Sequence, residues 1–114
     1  RHVFTAAGHH PGHFRATASL HGTYLATDQD DSPHLLADKF QGEIYCGFGE
    51  KDQYASPEVI AALDKALGAA DVDYHHIVHA GAEHGYALPD RDIFDKAAAD
   101  RDWEIFFAML RRQL

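Results

Sequence analysis

Two short stretches of this 114-residue chain carry residues able to do proton chemistry. The first is "HAGAEHGYALPD", residues 79–90, where His84 stands among glycines and alanines. Such neighbours give an imidazole little to pack against, but they leave room for a substrate and for unusual backbone angles. The second is "CGFGEKDQYASPE", residues 46–58, where Asp52 follows a glycine-ended apolar run. A carboxylate hydrogen-bonded to an imidazole fixes its tautomer and stabilises its protonated form. Histidine titrates close to neutrality, so it serves as base in one step and as acid in the next. Either residue alone has an ordinary explanation, because aspartates after strands are usually turn or cap residues and loop histidines are common. Together they suit acyl transfer, provided the fold brings them to one place.

The elements around them decide that. "ATASLHG" (16–22), "GEIYCGFG" (42–49) and "VDYHHIVHA" (72–80) are short, apolar and bounded by turn residues, and they read as strands. "SPHLLADKF" (32–40) and "SPEVIAALDKALGAA" (56–70) each open with Ser-Pro, an N-cap followed by a proline suited to the first helical turn. In the second, Val59, Ile60, Leu63 and Leu67 form one helical stripe that ends near Gly68. A last helix over about 92–113 carries Trp103, Phe106, Phe107, Leu110 and Leu114, a stripe expected to cover the sheet. "RHVFTAAG" reads as the end of a helix finished by Gly8, with Pro11 beyond it.

Strand and helix alternate, which predicts an α/β fold: a parallel three-stranded sheet with flanking helices in one domain, 1–114. Parallel strands joined by right-handed crossovers end on a common rim, where open α/β sheets bind ligands. Asp52 lies three residues past the second strand and His84 four past the third. Adjacent strands are about 4.8 Å apart, so the two side chains fall within reach of one another. Three parallel strands alone leave both sheet edges open, and the opening helix looks already under way at residue 1. The expectation is therefore a C-terminal half-domain whose N-terminal half is its partner, with homodimerisation through the open edge as the rival.

Composition narrows the partners. Apolar residues make up 46% of the chain, with seven Phe, five Tyr and one Trp, enough for a real core. A net charge of −8 argues against nucleic-acid or anionic-membrane binding. No apolar run reaches the roughly 18–20 residues of a membrane span, and no signal peptide is visible. The single cysteine, Cys46, precludes an internal disulfide and fits a reducing compartment, so a cytoplasmic location is expected. Ten histidines are scattered without the spacing of a zinc site, so neither a metal nor a cofactor is expected. His75 and His79 share one face of the third strand and His76 the other; all three read as structural or surface residues. "DQDDS" (28–32) reads as a solvated loop.

With these residues in place, the chain resembles the dienelactone hydrolase family of α/β-hydrolases. "GFGEKDQYASPE" is followed, 32 residues after its aspartate, by "GAEHGYALPD", and then by the late "DRDWEIFFAML" helix. The resemblance covers nearly the whole chain, since "RHVFTAAGHHPGHFRATASLHGTYL" is similar to the helix and strand after the family's nucleophile. It implies hydrolysis of carboxylic ester, lactone or thioester bonds through a Cys/Ser–Asp–His triad, in that chain order. Asp52 then matches the acid and His84 the histidine. The resemblance places the nucleophile in a Gly-x-Cys/Ser-x-Gly-Gly elbow, which this sequence lacks, just ahead of "RHVFTAAG". An oxyanion hole is expected from the same absent part, so the chain alone is expected to be inactive. Cys46 is no substitute, because Ile44 and Phe48 stand where an elbow needs glycines; it reads as a core residue. Ser19 fails likewise, with Thr17 and His21 at those positions, while Ser32 and Ser56 read as helix caps. Phe48, Tyr54 and Tyr86 flank the pair and are candidates to line a substrate pocket. Dienelactone-cleaving members hold a substrate carboxylate with an arginine four residues past the histidine. Here that residue is Leu88, with Arg91 the nearest arginine, which points away from dienelactone itself.

Overall fold

Residues 1–114 are described by a computed structural model in which three strands lie side by side, β1 (Ala16–Leu20), β2 (Glu43–Gly49) and β3 (Tyr74–His79). Both pairings are parallel: Ala16 lies opposite Glu43 in the first and Ile44 opposite Tyr74 in the second. The central β2 is buried along its whole length. That explains why its sequence is a near-continuous apolar run without the period-2 alternation of a half-exposed strand. On one face, Ile44, Cys46 and Phe48 pack with Phe4, Leu25, Ala37, Leu63 and Leu67. On the other face, Tyr45 and Gly47 meet the last helix.

The helices depart from the sequence reading in instructive ways. Helix α1 (His2–His9) runs past Gly8, which does not end it. A Cβ on Gly8 would lie 2.6 Å from Leu36 Cβ, so this glycine permits close packing. The 32–40 segment forms a 3₁₀ helix, Pro33–Lys39, and Ser32 does not cap it. Its Oγ accepts from the Thr27 amide at 2.8 Å and lies 2.6 Å from His34 Nδ1, tying the preceding loop instead. Helix α2 (Pro57–Ala69) is capped as its sequence suggests, with Ser56 Oγ accepting from the Val59 amide. It passes Gly68, and the left-handed position beyond it is Asp71, with φ of 56°.

Helix α3 (Lys96–Gln113) begins later than 92, where Asp95 Oδ1 accepts from the Ala98 amide at 3.0 Å. Its buried residues are Ala98, Ala99, Asp102 and Met109, whereas Trp103 is 45% exposed and Phe107 51%. Small residues let the helix axis approach the sheet. The aromatics lie round the helix toward β1, where Trp103 and Phe106 join Val3, Phe14 and Leu20 around an apolar cleft of about 500 Å³. The stripe expected to cover the sheet thus borders an open surface beside an edge strand.

At the opposite rim from the strand ends, Arg112 and Gln113 of α3 both donate to the buried Glu43 carboxylate at the start of β2. Burial pushes that carboxyl up, but the two donors outweigh it and hold it below the ordinary glutamate value of 4.5. A carboxyl held low when folded adds stability above its ordinary pKa and loses it as pH falls through the folded value. Stability measured by denaturant unfolding is therefore expected to fall as pH drops below about 4.5, and Glu43→Gln to flatten that part of the curve. An unchanged acid slope in the variant would remove Glu43 from the account.

Candidate active site

Two rim loops are stitched together before any side chain is considered. After β2, the Glu50 amide donates to His79 O at 3.0 Å and the Lys51 amide to Ala82 O at 2.9 Å. Glu50 Oε2 in turn accepts from the Gly81 amide at 2.6 Å. A Cβ on Gly49 would lie 2.5 Å from Ala82 O, so the loops meet at a distance only glycine permits there. In the His84 loop, Gly81 and Gly85 have φ of 71° and 88°, left-handed turns that bracket the histidine.

This framework sets Asp52 against His84. His84 Nδ1 lies 2.8 Å from Asp52 Oδ2, and the aspartate side chain is fully buried while the imidazole is 35% exposed. Asp52 Oδ1 also accepts from the Tyr54 amide at 2.8 Å, which fixes the carboxylate orientation. An ionised carboxylate only accepts, so Nδ1 carries the proton and Nε2 presents its lone pair to the open side. His84 makes no hydrogen bond to a hydroxyl or thiol. Tyr54 leans over the imidazole at 4.9 Å between ring centroids, and His21 meets it edge-on at 5.4 Å.

Of the three pocket candidates, only Tyr54 lies beside the imidazole and partly open. Phe48 and Tyr86 are fully buried, a correction to the expected lining role. Strand alternation turns Phe48 into the α2 face of the core, where its ring meets His76. Tyr86 turns inward because its hydroxyl is bound by a buried aspartate, Asp102, at 2.5 Å. Of the two roles expected for His79, structural or surface, it takes the structural one: its Nε2 lies 2.7 Å from the same carboxylate.

His21 is the residue the sequence reading passed over. It follows β1 with φ of 41°, strained for a side chain of this kind. Together with Ser19, Thr23 and His84 it lines a polar cleft of about 390 Å³. Burial first, and then the neighbouring His84, hold its pKa below the ordinary value, which favours a neutral second imidazole in the cleft. Its signal was positional: the end of β1 shares the rim of β2 and β3. Cys46, by contrast, is fully buried, and burial pushes its thiol up to about 12, so it is an inert core residue.

A short parallel sheet flanked by helices, with an aspartate and a histidine joined at the C-terminal rim, defines an α/β-hydrolase fold. The chain belongs to the dienelactone hydrolase family, whose profile matches residues 1–114. A Synechocystis protein named "Putative carboxymethylenebutenolidase" is 28% identical over 93 residues, covering 79% of this chain and 38% of that protein. The crystal structure of a "Putative Dienelactone Hydrolase" from Klebsiella pneumoniae superposes with a TM-score of 0.87 at 20% identity, over 98% of this chain and 48% of that one. A dienelactone hydrolase-like promiscuous phosphotriesterase from metagenomic libraries gives 0.71 at 18% identity, over 86% and 42%. At these identities the structures establish the fold. The chain spans half or less of the length of these relatives. No helix is long and apolar enough to cross a membrane.

Proposed function

We propose that this chain supplies the acid and the histidine of a carboxylic ester, lactone or thioester hydrolase that works by acyl transfer. The supporting observation is the 2.8 Å contact between Asp52 and His84 Nδ1, which leaves Nε2 free on the rim. Nε2 takes the proton of a Cys or Ser nucleophile as it attacks the carbonyl carbon, and Asp52 stabilises the imidazolium. His84 then protonates the departing alcohol or thiol, and the acyl-enzyme is released by water activated at the same Nε2. The nucleophile and the oxyanion donors belong to an N-terminal part of the same domain outside residues 1–114. That part covers the apolar cleft beside β1, where Val3, Phe14 and Trp103 lie exposed. Leu88 at the position of the family's anion-binding arginine favours a substrate without a carboxylate there. The cytoplasm is the compartment this reading assigns.

The chain alone is expected to show no turnover of p-nitrophenyl acetate, because nucleophile and oxyanion hole each contribute orders of magnitude. Turnover by residues 1–114 that disappears in His84→Ala would overturn the split of the triad. The same cleft favours one second reading, a non-catalytic module in which two copies pair through the β1 edge. A mass near twice 12.7 kDa by light scattering, with no turnover once the missing half is supplied, would decide for it.

A further inference from the structure

Asp102 is fully buried on the inner face of α3, and a lone carboxylate there is expensive unless several donors meet it. Three do. Tyr45 Oη donates to Oδ1 at 2.6 Å, Tyr86 Oη donates to Oδ2 at 2.5 Å, and His79 Nε2 lies 2.7 Å from Oδ1. Burial, and next the carboxylate itself, push both phenols well above the usual tyrosine range, so both remain donors. Strand β2 makes room for the cluster at Gly47, where a Cβ would lie 2.6 Å from each Asp102 oxygen and closer still to Tyr86 Oη. Sequence positions 55 residues apart are thus matched to one network.

The three donors have different reach. Tyr45 belongs to the central strand, which needs no further anchor. Tyr86 lies two residues past His84, at the end of the loop bracketed by Gly81 and Gly85. Its amide donates to Glu83 O and its carbonyl accepts from the Asp95 amide, so one residue clamps both sides of that loop. Its ring also meets His21 at 5.5 Å, and His21 meets His84 at 5.4 Å. His84 itself is held by a single hydrogen bond, to Asp52. The bonds to Glu50 and Lys51 hold the loop on the Gly81–Ala82 side, so the side beyond His84 and Gly85 depends on Tyr86 for its anchor.

We propose that Asp102 is a positioning residue for the hydrolytic site, fixing the His84 loop through the Tyr86 hydroxyl. It rests on the hydrolase reading for its kinetic consequence, and on geometry alone for its structural one. The experiment compares two deletions of one hydroxyl from the same carboxylate in the full-length protein. Tyr86→Phe keeps the ring and is expected to lower kcat about tenfold with KM within about twofold, since small misplacements of a catalytic group are costly. Tyr45→Phe removes an equivalent hydrogen bond from a strand and is expected to leave kcat within about twofold. Proton NMR of the His84 Nδ1–H, bonded to Asp52, supplies a readout that does not need turnover. That signal is expected to persist in Tyr45→Phe and to broaden or shift in Tyr86→Phe. In Asp102→Asn the further change Tyr86→Phe is expected to add little, the signature of one coupled unit. Equal effects of the two hydroxyl deletions on kcat and on the resonance would overturn the proposal and leave Asp102 a purely structural residue. Absence of ester turnover in the parent protein would instead defeat the hydrolase reading, and full turnover in His84→Ala the role of His84 as base, with the resonance in either case still deciding the role of Asp102.

Discussion

Replacing His84 with alanine in the full-length protein is expected to cut kcat for an activated ester by about 10³-fold or more, with little change in KM. General acid–base catalysis by a positioned side chain is commonly worth about 10²–10⁴-fold, and on the proposed mechanism this imidazole serves both the attack and the leaving group. A 10³-fold loss corresponds to about 4 kcal/mol of transition-state stabilisation. Folding is expected to survive, because the imidazole is partly exposed and bonded only to Asp52. Asp52→Asn acts in the same direction through the tautomer: an amide opposite Nδ1 no longer demands a proton there, and Nε2 loses its lone pair. Steady-state kinetics beside thermal unfolding curves separate the two effects. A His84→Ala protein retaining a tenth of the wild-type kcat would mean that another group carries the proton.

The largest effect on stability is expected from a single added methyl. Gly47→Ala would drive a Cβ into the Asp102 carboxylate and the Tyr86 hydroxyl. The strand is central and buried, so it cannot yield, and the alternative is to break charge-assisted hydrogen bonds in the interior. Overpacking of a core adds roughly 1–3 kcal/mol, and each orphaned buried partner about as much again. A loss of about 3–6 kcal/mol is expected against a total of roughly 5–15 for a domain of ordinary stability. Denaturant unfolding measures it directly. A Gly47→Ala protein as stable as the parent would show that the network is looser than drawn.

How much of this was legible in the sequence differs by element. The strands were readable because buried parallel strands are short apolar runs closed by turn residues. Their shared rim made the approach of Asp52 and His84 a consequence of spacing. The 3₁₀ helix at 33–39 was not readable, since Ser-Pro opens either kind of helix and the difference lies in where Ser32 sends its hydroxyl. Gly8 misled because a glycine that permits close packing, here against Leu36, looks the same in sequence as one that permits a left-handed turn, whereas Gly68 does lie within one residue of the end of its helix. The aromatic stripe of α3 misled for a related reason: bulk suggests a core, but Ala98 and Ala99 are what let the helix sit down on the sheet. Asp102 lies beside that stripe, on the side of the helix that faces the sheet, and nothing local marks it because its partners lie 16, 23 and 57 residues away. Only Gly47, a glycine in mid-strand, hinted that something presses on β2 there.

The Glu43 clamp and the Asp52–His84 pair occupy opposite ends of the same central strand. The acid response set by Glu43 and the proposed proton chemistry therefore sit apart, with only the Asp102 network between them bearing on both stability and site. Surface redesign around Arg112 and Gln113 is expected to retune acid tolerance while leaving the Asp52–His84 contact in place.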